Sequence, residues 1–211
     1  MEESLKVPTA GVELEAALRV PERAKGLVVF AHGAGSDRKS PRNLMTAERL
    51  DAAGYATLLF DLLTPPEKEE YGANVFDIGK LTDRLAGVIA WAGERPGLAG
   101  LRVALLGAST GAAAALNAAA RLGDRVAAVV SRGGRPDLAD QARLGDIAAA
   151  TVFIVGSEDK QVLEASRPPF ARLRCDKDLR VIEGATHVFE EPGTLEAATD
   201  AAVEWIARHL P

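Results

Sequence analysis

Short apolar runs recur along the chain, and each is followed by a longer segment in which apolar residues have helical spacing. Apolar residues dominate the runs instead of alternating with polar ones, which is typical of strands covered on both faces in a parallel sheet. The runs are also too short for most helices. We therefore predict buried strands at Leu27–Ala31, Ala56–Phe60, Arg102–Leu106, Val126–Val130, Val152–Val155 and Leu179–Ile182.

The segment Gly11–Val20 has a different pattern. Apolar positions at Val12, Leu14 and Leu18 alternate with charged residues, including Glu13 and Arg19. This alternation predicts a half-exposed strand, and we place it as an antiparallel strand at the edge of the sheet.

The segments between the strands predict helices. Ser40-Pro41 offers an N-cap followed by proline at the first helical position, and a similar signal at Pro192-Gly193 precedes the last candidate helix. Strict alternation of strands and helices implies an α/β fold with a doubly wound, mostly parallel sheet flanked by helices. The predicted helices are Pro41–Ala53, Val75–Trp91, Thr110–Leu122, Asp137–Ala148, Gln161–Arg174 and Thr194–Leu210.

The length and composition indicate an ordinary globular domain. The chain has 211 residues, of which 47% are hydrophobic and 26% charged, so we assign 1–211 to a single domain and exclude wholesale disorder. The longest irregular stretch, Leu62–Asn74, is interpreted as a surface loop that flanks the functional site. The chain has no room for a large cap domain.

Charge and cysteine content exclude several classes of partner. The net charge of −5 argues against binding to nucleic acid or to anionic lipid. Cys175 is the only cysteine, so the chain can form neither an internal disulfide nor a multi-thiolate metal site. We interpret Cys175 as a packing residue and expect no metal and no cofactor.

The sequence contains no signal that directs the chain to a membrane. The opening residues lack the apolar stretch of a signal peptide, and no run approaches the ~18 apolar residues of a membrane helix. We therefore expect a soluble cytoplasmic protein.

Candidate chemistry begins at Gly107-Ala108-Ser109-Thr110-Gly111, between a predicted strand and a predicted helix. This is the Gly-x-Ser-x-Gly pattern in its required context, in which a serine on a sharp turn is exposed at the edge of the sheet. Ser109 is thus a candidate nucleophile. The structural alternative is a tight turn with a capping serine.

A nucleophilic serine needs a histidine base that follows it in the chain. The chain has three histidines; His32 precedes Ser109, and the position of His209 in the last turn of the final helix is explained by the helix dipole. His187, in a loop after the last predicted strand, remains as the candidate base. Its alternative interpretation is a surface-loop histidine.

The candidate orienting acid is Asp159, which follows the strand Val152–Val155 and precedes His187 in the chain. Glu158 and Asp137 are rivals, the second because it also follows a strand at the same edge. Each of these carboxylates could instead cap a helix or lie in solvent.

A Gly-rich segment, His32-Gly33-Ala34-Gly35-Ser36, follows an early strand and could supply an oxyanion hole. We predict that the backbone amides of Ala34 and Thr110 form it; the alternative is an ordinary Gly-rich turn. The segment fits neither the dinucleotide fingerprint nor the P-loop, so nucleotide binding has no support.

Two arginines, Arg132 and Arg135, follow the strand Val126–Val130 in a Gly-rich segment. They could bind a carboxylate or phosphate of the substrate through bidentate hydrogen bonds. They could equally pair with Asp137 or Asp159 and brace the loops.

The strings Gly-Ala-Ser-Thr-Gly, His-Gly-Ala-Gly-Ser and Gly-Ala-Thr-His-Val-Phe-Glu-Glu-Pro-Gly resemble the α/β-hydrolase superfamily, in particular its small bacterial dienelactone-hydrolase-like branch. The resemblance runs from about residue 12 to the C-terminus. It implies the α/β-hydrolase fold, with Ser109, Asp159 and His187 as nucleophile, acid and base. Dienelactone hydrolases carry cysteine as the nucleophile, and the serine here favours general ester chemistry.

These observations predict a serine hydrolase, a carboxylesterase whose partner is a small or short-chain ester. A thioesterase, a small peptidase or an acyltransferase would use the same triad. An alternative of another class is a non-catalytic protein that retains the fold and binds a small molecule.

Overall fold

The computed structural model describes residues 2–210, which form one eight-stranded sheet in the order β1-β2-β4-β3-β5-β6-β7-β8. β1 and β2 are antiparallel to their neighbours, and the other strands pair in parallel. The predicted α/β fold with a mostly parallel sheet is confirmed. The strands are β1 Glu2–Thr9, β2 Val12–Arg19, β3 Leu27–Ala31, β4 Ala56–Phe60, β5 Val103–Ser109, β6 Val126–Gly134, β7 Ala150–Gly156 and β8 Lys177–Ile182.

Helices cover both faces of the sheet and create two cores. α4, α5 and α6 contribute to the core on one face, which includes Leu85 and Leu116, and α1 and α7 cover the other face, which includes Leu50 and Trp205. The helices are α1 Pro41–Ala52, α2 Pro65–Glu69, α3 Tyr71–Asn74, α4 Ile78–Glu94, α5 Thr110–Leu122, α6 Lys160–Arg172 and α7 Thr194–His209.

β5 and β6 extend beyond the predicted apolar runs. Gly107 pairs with Ser131 and Ser109 pairs with Gly134, so small residues continue the ladder to the carboxyl edge. The extension places Arg132 inside a buried strand and not in the Gly-rich loop that the sequence predicted.

The prediction of one helix over Asp137–Ala148 is wrong. The structure has two short 3₁₀ turns there, Pro136–Leu138 and Leu144–Asp146. Side chains bond to the backbone between them: the amide of Asp140 donates to the side chain of Asn117, and the side-chain amide of Gln141 donates to nearby carbonyls. Such local bonds compete with the helical ladder.

The first strand and the 62–74 segment also differ from the prediction. β1 was not predicted, because its residues are mostly polar and exposed, and it takes the edge position expected for Gly11–Val20. The segment Leu62–Asn74 is not irregular throughout, since it contains α2 and α3. Within residues 2–210, no helix is both long enough and apolar enough to span a bilayer.

Candidate active site

Ser109 occupies the turn between β5 and α5, where a buried strand passes directly into a helix. Its backbone has φ 48° and ψ −123°, which a non-glycine residue adopts only at an energetic cost. The turn brings Ser109 to the wall of a cavity at the carboxyl edge of the sheet. This is the strand–turn–helix context that the Gly-x-Ser-x-Gly pattern predicts.

Glycines on both sides of Ser109 allow the strand and the helix to approach each other. A Cβ at Gly107 would lie 2.4 Å from the Cα of Ala112, and a Cβ at Gly111 would lie 2.1 Å from the carbonyl oxygen of Ala31. Both distances are far below van der Waals contact, so a larger residue would displace the backbone that holds Ser109.

His187 and Asp159 are joined by a hydrogen bond between Nδ1 and Oδ2, 2.7 Å apart. Asp159 precedes α6 and is nearly buried, whereas His187 lies in the loop after β8 with 42% of its side chain exposed. The second oxygen of Asp159 accepts a bond from the amide of Val162 and caps α6. The carboxylate therefore combines the two roles that the sequence left as alternatives.

The loop that carries His187 is fixed on both sides of the imidazole. Before it, the amide and the hydroxyl of Thr186 both donate to the carboxylate of Glu191, and these bonds lower the pKa of Glu191. After it, Phe189 is buried with a φ of 56°. A Cβ at Gly133 would lie 2.8 Å from the carbonyl oxygen of His187, so the loop packs directly against the end of β6.

Ser109 and His187 line two cavities together. One, of about 100 Å³, extends from them to Ala34 and Arg132. The other, of about 390 Å³, extends to Arg135 and Asp159. The candidate nucleophile and base thus lie between two spaces that a substrate could occupy.

The loop after β3 lies beside Ser109, since a Cβ at Gly33 would be 2.7 Å from the Cβ of Ser109. In the part of the chain that the structure describes, the amide of Ala34 has no hydrogen-bond acceptor. Thr110 is the first residue of α5, where an amide has no acceptor within the helix. Both amides could therefore donate to an oxyanion.

His32 holds that loop in place. Its Nε2 accepts a hydrogen bond of 2.9 Å from the amide of Leu62, so the ring proton is assigned to Nδ1, which donates to the carbonyl of Gly33 at 2.9 Å. Burial lowers the pKa of His32 and keeps the ring neutral. The histidine thereby connects the loop after β3 to the end of β4.

The two predicted arginines line different cavities beside Ser109 and have different partners. Arg135 forms a bidentate ion pair with Asp137, with distances of 2.7 and 2.8 Å. Arg132 is buried and donates to the carbonyl of Arg42 and to side chains of the first turns of α1. The structure therefore does not bring Arg132 and Arg135 together on one ligand.

The rival acids are engaged elsewhere. The carboxylate of Asp137 pairs with Arg135, and that of Glu158 accepts from the hydroxyl of Ser157 at 3.4 Å. Sequence patterns gave no positioning role to His32 or Glu191. The weak signals for these were a histidine directly before a Gly-rich loop and a carboxylate four residues after His187.

Comparisons with known proteins find relatives that cover nearly the whole chain. Residues 14–209 match the dienelactone hydrolase family. A crystal structure of dienelactone hydrolase from Anabaena variabilis is 45% identical, has a TM-score of 0.96, and covers 100% of this chain and 99% of its own. An α/β serine hydrolase without lid from Xanthomonas campestris is 22% identical with a TM-score of 0.80, covering 100% of this chain and 95% of its own, which shows the fold alone.

A further relative is longer than this chain. A Mycobacterium tuberculosis protein named "Putative phosphoribosyl transferase" is 51% identical over 209 residues, which are 99% of this chain and 47% of that protein. The chain therefore spans about half the length of the curated relatives it matches.

Proposed function

The chain belongs to the dienelactone hydrolase family, and from that premise we propose that it is a serine hydrolase that cleaves small carboxylic esters. The observation that carries the proposal is the 2.7 Å hydrogen bond between His187 and Asp159, with His187 and Ser109 on the wall of the same cavities. A serine, a histidine and a carboxylate in that relation are the components of acyl transfer through a covalent intermediate.

In the first half of the reaction, the Ser109 oxygen attacks the ester carbonyl and its proton moves to Nε2 of His187. Nε2 is the available nitrogen because Nδ1 donates to Asp159. Asp159 holds this tautomer and stabilises the imidazolium. The tetrahedral intermediate then expels the alkoxide, which takes the proton from His187 and leaves as an alcohol.

In the second half, water attacks the acyl-enzyme. His187 accepts a proton from the water, and the bond between the acyl carbon and the Ser109 oxygen breaks. The same proton returns to the serine oxygen, so the cycle releases a carboxylic acid and regenerates the enzyme.

The oxyanion of both tetrahedral intermediates is assigned to the amides of Ala34 and Thr110. Two observations support this assignment: the loop after β3 lies beside Ser109, and the amide of Ala34 has no other acceptor within residues 2–210. Preorganised donors of this kind are worth about 10²–10³ in kcat each. The buried, neutral His32 contributes by holding the loop that carries Ala34.

The cavities beside Ser109 can accept small substrates. Their volumes of about 100 and 390 Å³ are enough for small acyl and alcohol groups. Short-chain esters are therefore the first substrates to test.

A fluorophosphonate probe and p-nitrophenyl acetate test the proposal together. We expect the probe to label Ser109, and Ser109→Ala or His187→Ala to lower kcat by about 10⁴–10⁶-fold with the fold intact. Ser4→Ala, on the exposed part of β1, is the matched control and should behave like the wild type. Near-normal turnover by Ser109→Ala, or labelling at another residue, would contradict the proposal.

A further inference from the structure

Arg132 is a buried cation without a carboxylate partner. Its relative exposure is 4%, and no Asp or Glu oxygen lies within 4 Å of its guanidinium among residues 2–210. Arg84, equally buried, forms a bidentate ion pair with Glu67. A buried charge is normally retained only where something compensates it, so the state of Arg132 requires an explanation.

The hydrogen bonds of Arg132 do not supply that compensation. Its Nη1 donates to the carbonyl of Arg42 at 3.3 Å and to the hydroxyl of Thr46 at 2.8 Å, and its Nη2 donates to the side-chain oxygen of Asn43 at 2.7 Å. All three acceptors are neutral. A guanidinium has five N–H groups, so these bonds leave two donors and the full charge uncompensated within the described residues.

A second cation faces the same space. Arg42 lines the cavity with Arg132, and its nearest carboxylate is that of the exposed Glu190, 3.9 Å away. Burial and the charge of Arg42 lower the pKa of Arg132 to about 10, so the Arg132 guanidinium is still charged at neutral pH. Two like charges at one cavity repel each other unless an anion lies between them.

Two serines of the cavity wall could also donate to an anion. Ser36 and Ser40 line it, and Ser40 precedes the twelve-residue helix α1 without using its hydroxyl as a cap. The positive end of the α1 dipole therefore points to the same side as the arginines. Ser109 and His187 line the cavity as well, which places it next to the reacting atoms.

We propose that this cavity binds a phosphate group of the substrate, so that the preferred esters carry a phosphate a few bonds from the scissile carbonyl. The inference rests on the proposed hydrolase function and names its substrate class. A phosphate monoester has a charge of about −1.5 to −2 at neutral pH, which matches two arginines. Its three terminal oxygens can accept from donors on different sides, whereas a carboxylate has two.

Arg135 is not part of this subsite. Its guanidinium lies in the other cavity and is neutralised by two short bonds to Asp137. Arg132 and Arg42 therefore recognise the anion, and Arg135 takes no part in its recognition.

The first experiment compares kcat/KM for three acetate esters of similar length: butyl acetate, 4-acetoxybutanoate and 3-(phosphonooxy)propyl acetate. We expect the phosphate ester to exceed the neutral ester by about 10- to 100-fold, with the carboxylate between them. Arg132→Met should remove this preference. Arg49 is an exposed arginine of α1 that pairs with Asp200; Arg49→Met is the matched control and should keep the preference.

The second experiment measures binding without catalysis. Titration calorimetry with inorganic phosphate, at constant ionic strength, should detect binding to Ser109→Ala and to the wild type, and Arg132→Met should lose it. If Arg132→Met does not fold, Arg42→Met tests the same cavity, because Arg42 is only half-buried. This substitution should weaken the binding of phosphate about fivefold.

The outcomes separate the two proposals. Equal kcat/KM for the neutral and phosphate esters, a preference that disappears in Arg135→Met but not in Arg132→Met, or a carboxylate ester preferred to the phosphate ester would overturn the phosphate subsite. Each of these would leave the hydrolase function intact. Near-normal turnover by Ser109→Ala would instead overturn the hydrolase function, whatever phosphate binding shows.

Discussion

Asp159 holds His187 and caps a helix with the same carboxylate. Oδ2 accepts from Nδ1 of His187 at 2.7 Å, and Oδ1 accepts from the first turn of α6 at 3.4 Å. The helix therefore fixes the carboxylate, and the carboxylate fixes the imidazole. A substitution at Asp159 can separate the two roles, because an amide oxygen can still cap the helix.

Asp159→Asn should lower kcat by about 10⁴-fold with little change in stability, since the asparagine can cap α6 but no longer stabilises the imidazolium. Asp159→Ala should lower kcat similarly and cost about 1 kcal/mol of stability through loss of the cap. Ester kinetics and urea denaturation measure the two effects. Glu158→Gln is the matched control; a larger loss of kcat there than in Asp159→Asn would show that the acid was assigned wrongly.

The sharp turn at Ser109 could be predicted because its requirements are local. Small residues at Gly107 and Gly111 and the adjoining apolar strand are contiguous in the sequence. The contact between His187 and Asp159 is not local, but both follow strands whose carboxyl ends meet at one edge, so the order of strands made Asp159 a candidate beside its rivals Glu158 and Asp137.

The surroundings of Arg132 could not be predicted in the same way. Its burial depends on β6 continuing to Gly134 and on Asn43 and Thr46 in α1, which are 89 and 86 residues away. The helix predicted after Arg135 failed for a related reason, because the side chain of Asn117 in another helix bonds to the backbone there. Tertiary contacts outweighed local propensity at both places.

Gly111→Ala should destabilise the protein, although alanine usually favours helices. The added Cβ would lie 2.1 Å from the carbonyl oxygen of Ala31 and 2.5 Å from that of His32, so β3 or α5 must move. We expect a loss of about 1–3 kcal/mol in the free energy of unfolding and reduced esterase activity.

Gly79→Ala is the control for this substitution. Gly79 lies in the first turn of α4, and its nearest contact would be an ordinary 3.4 Å. Its stability should be unchanged or higher by up to about 1 kcal/mol. Equal effects at both glycines would contradict the close approach of α5 to β3.

The buried His32 should make stability depend on pH near neutrality. Burial lowers its pKa in the folded protein, so below about 6.5 the unfolded chain takes up a proton that the folded protein does not. Unfolding is then favoured, and stability should fall as the pH decreases from 7 to 5. Urea denaturation across that range measures the slope.

His32→Gln isolates this contribution from that of His209, whose pKa burial also lowers. The variant should be less stable at pH 7 by about 1–3 kcal/mol, because the glutamine oxygen can replace Nε2 as the acceptor for Leu62 but the donor to the carbonyl of Gly33 is lost. Its stability should also fall less steeply below pH 6.5. A slope identical to that of the wild type would show that His32 is not the group responsible.

The ion pair between Glu67 and Arg84 should stabilise the segment between β4 and α4, and this stabilisation should be lost at low pH. Hydrogen bonds from Arg84 lower the pKa of Glu67 from 4.5 to about 2, and Arg84 is buried. Because the folded pKa is the lower one, the stabilisation is present above about pH 4.5 and is lost as the pH falls towards 2. Glu67→Gln should therefore cost about 2–3 kcal/mol at pH 7 and progressively less between pH 4.5 and 2.

Glu69→Gln is the control, because Glu69 is an exposed residue of the same helix α2, and it should cost almost nothing at either pH. A loss of stability in Glu67→Gln that does not depend on pH would contradict the assignment of the lowered pKa to this ion pair.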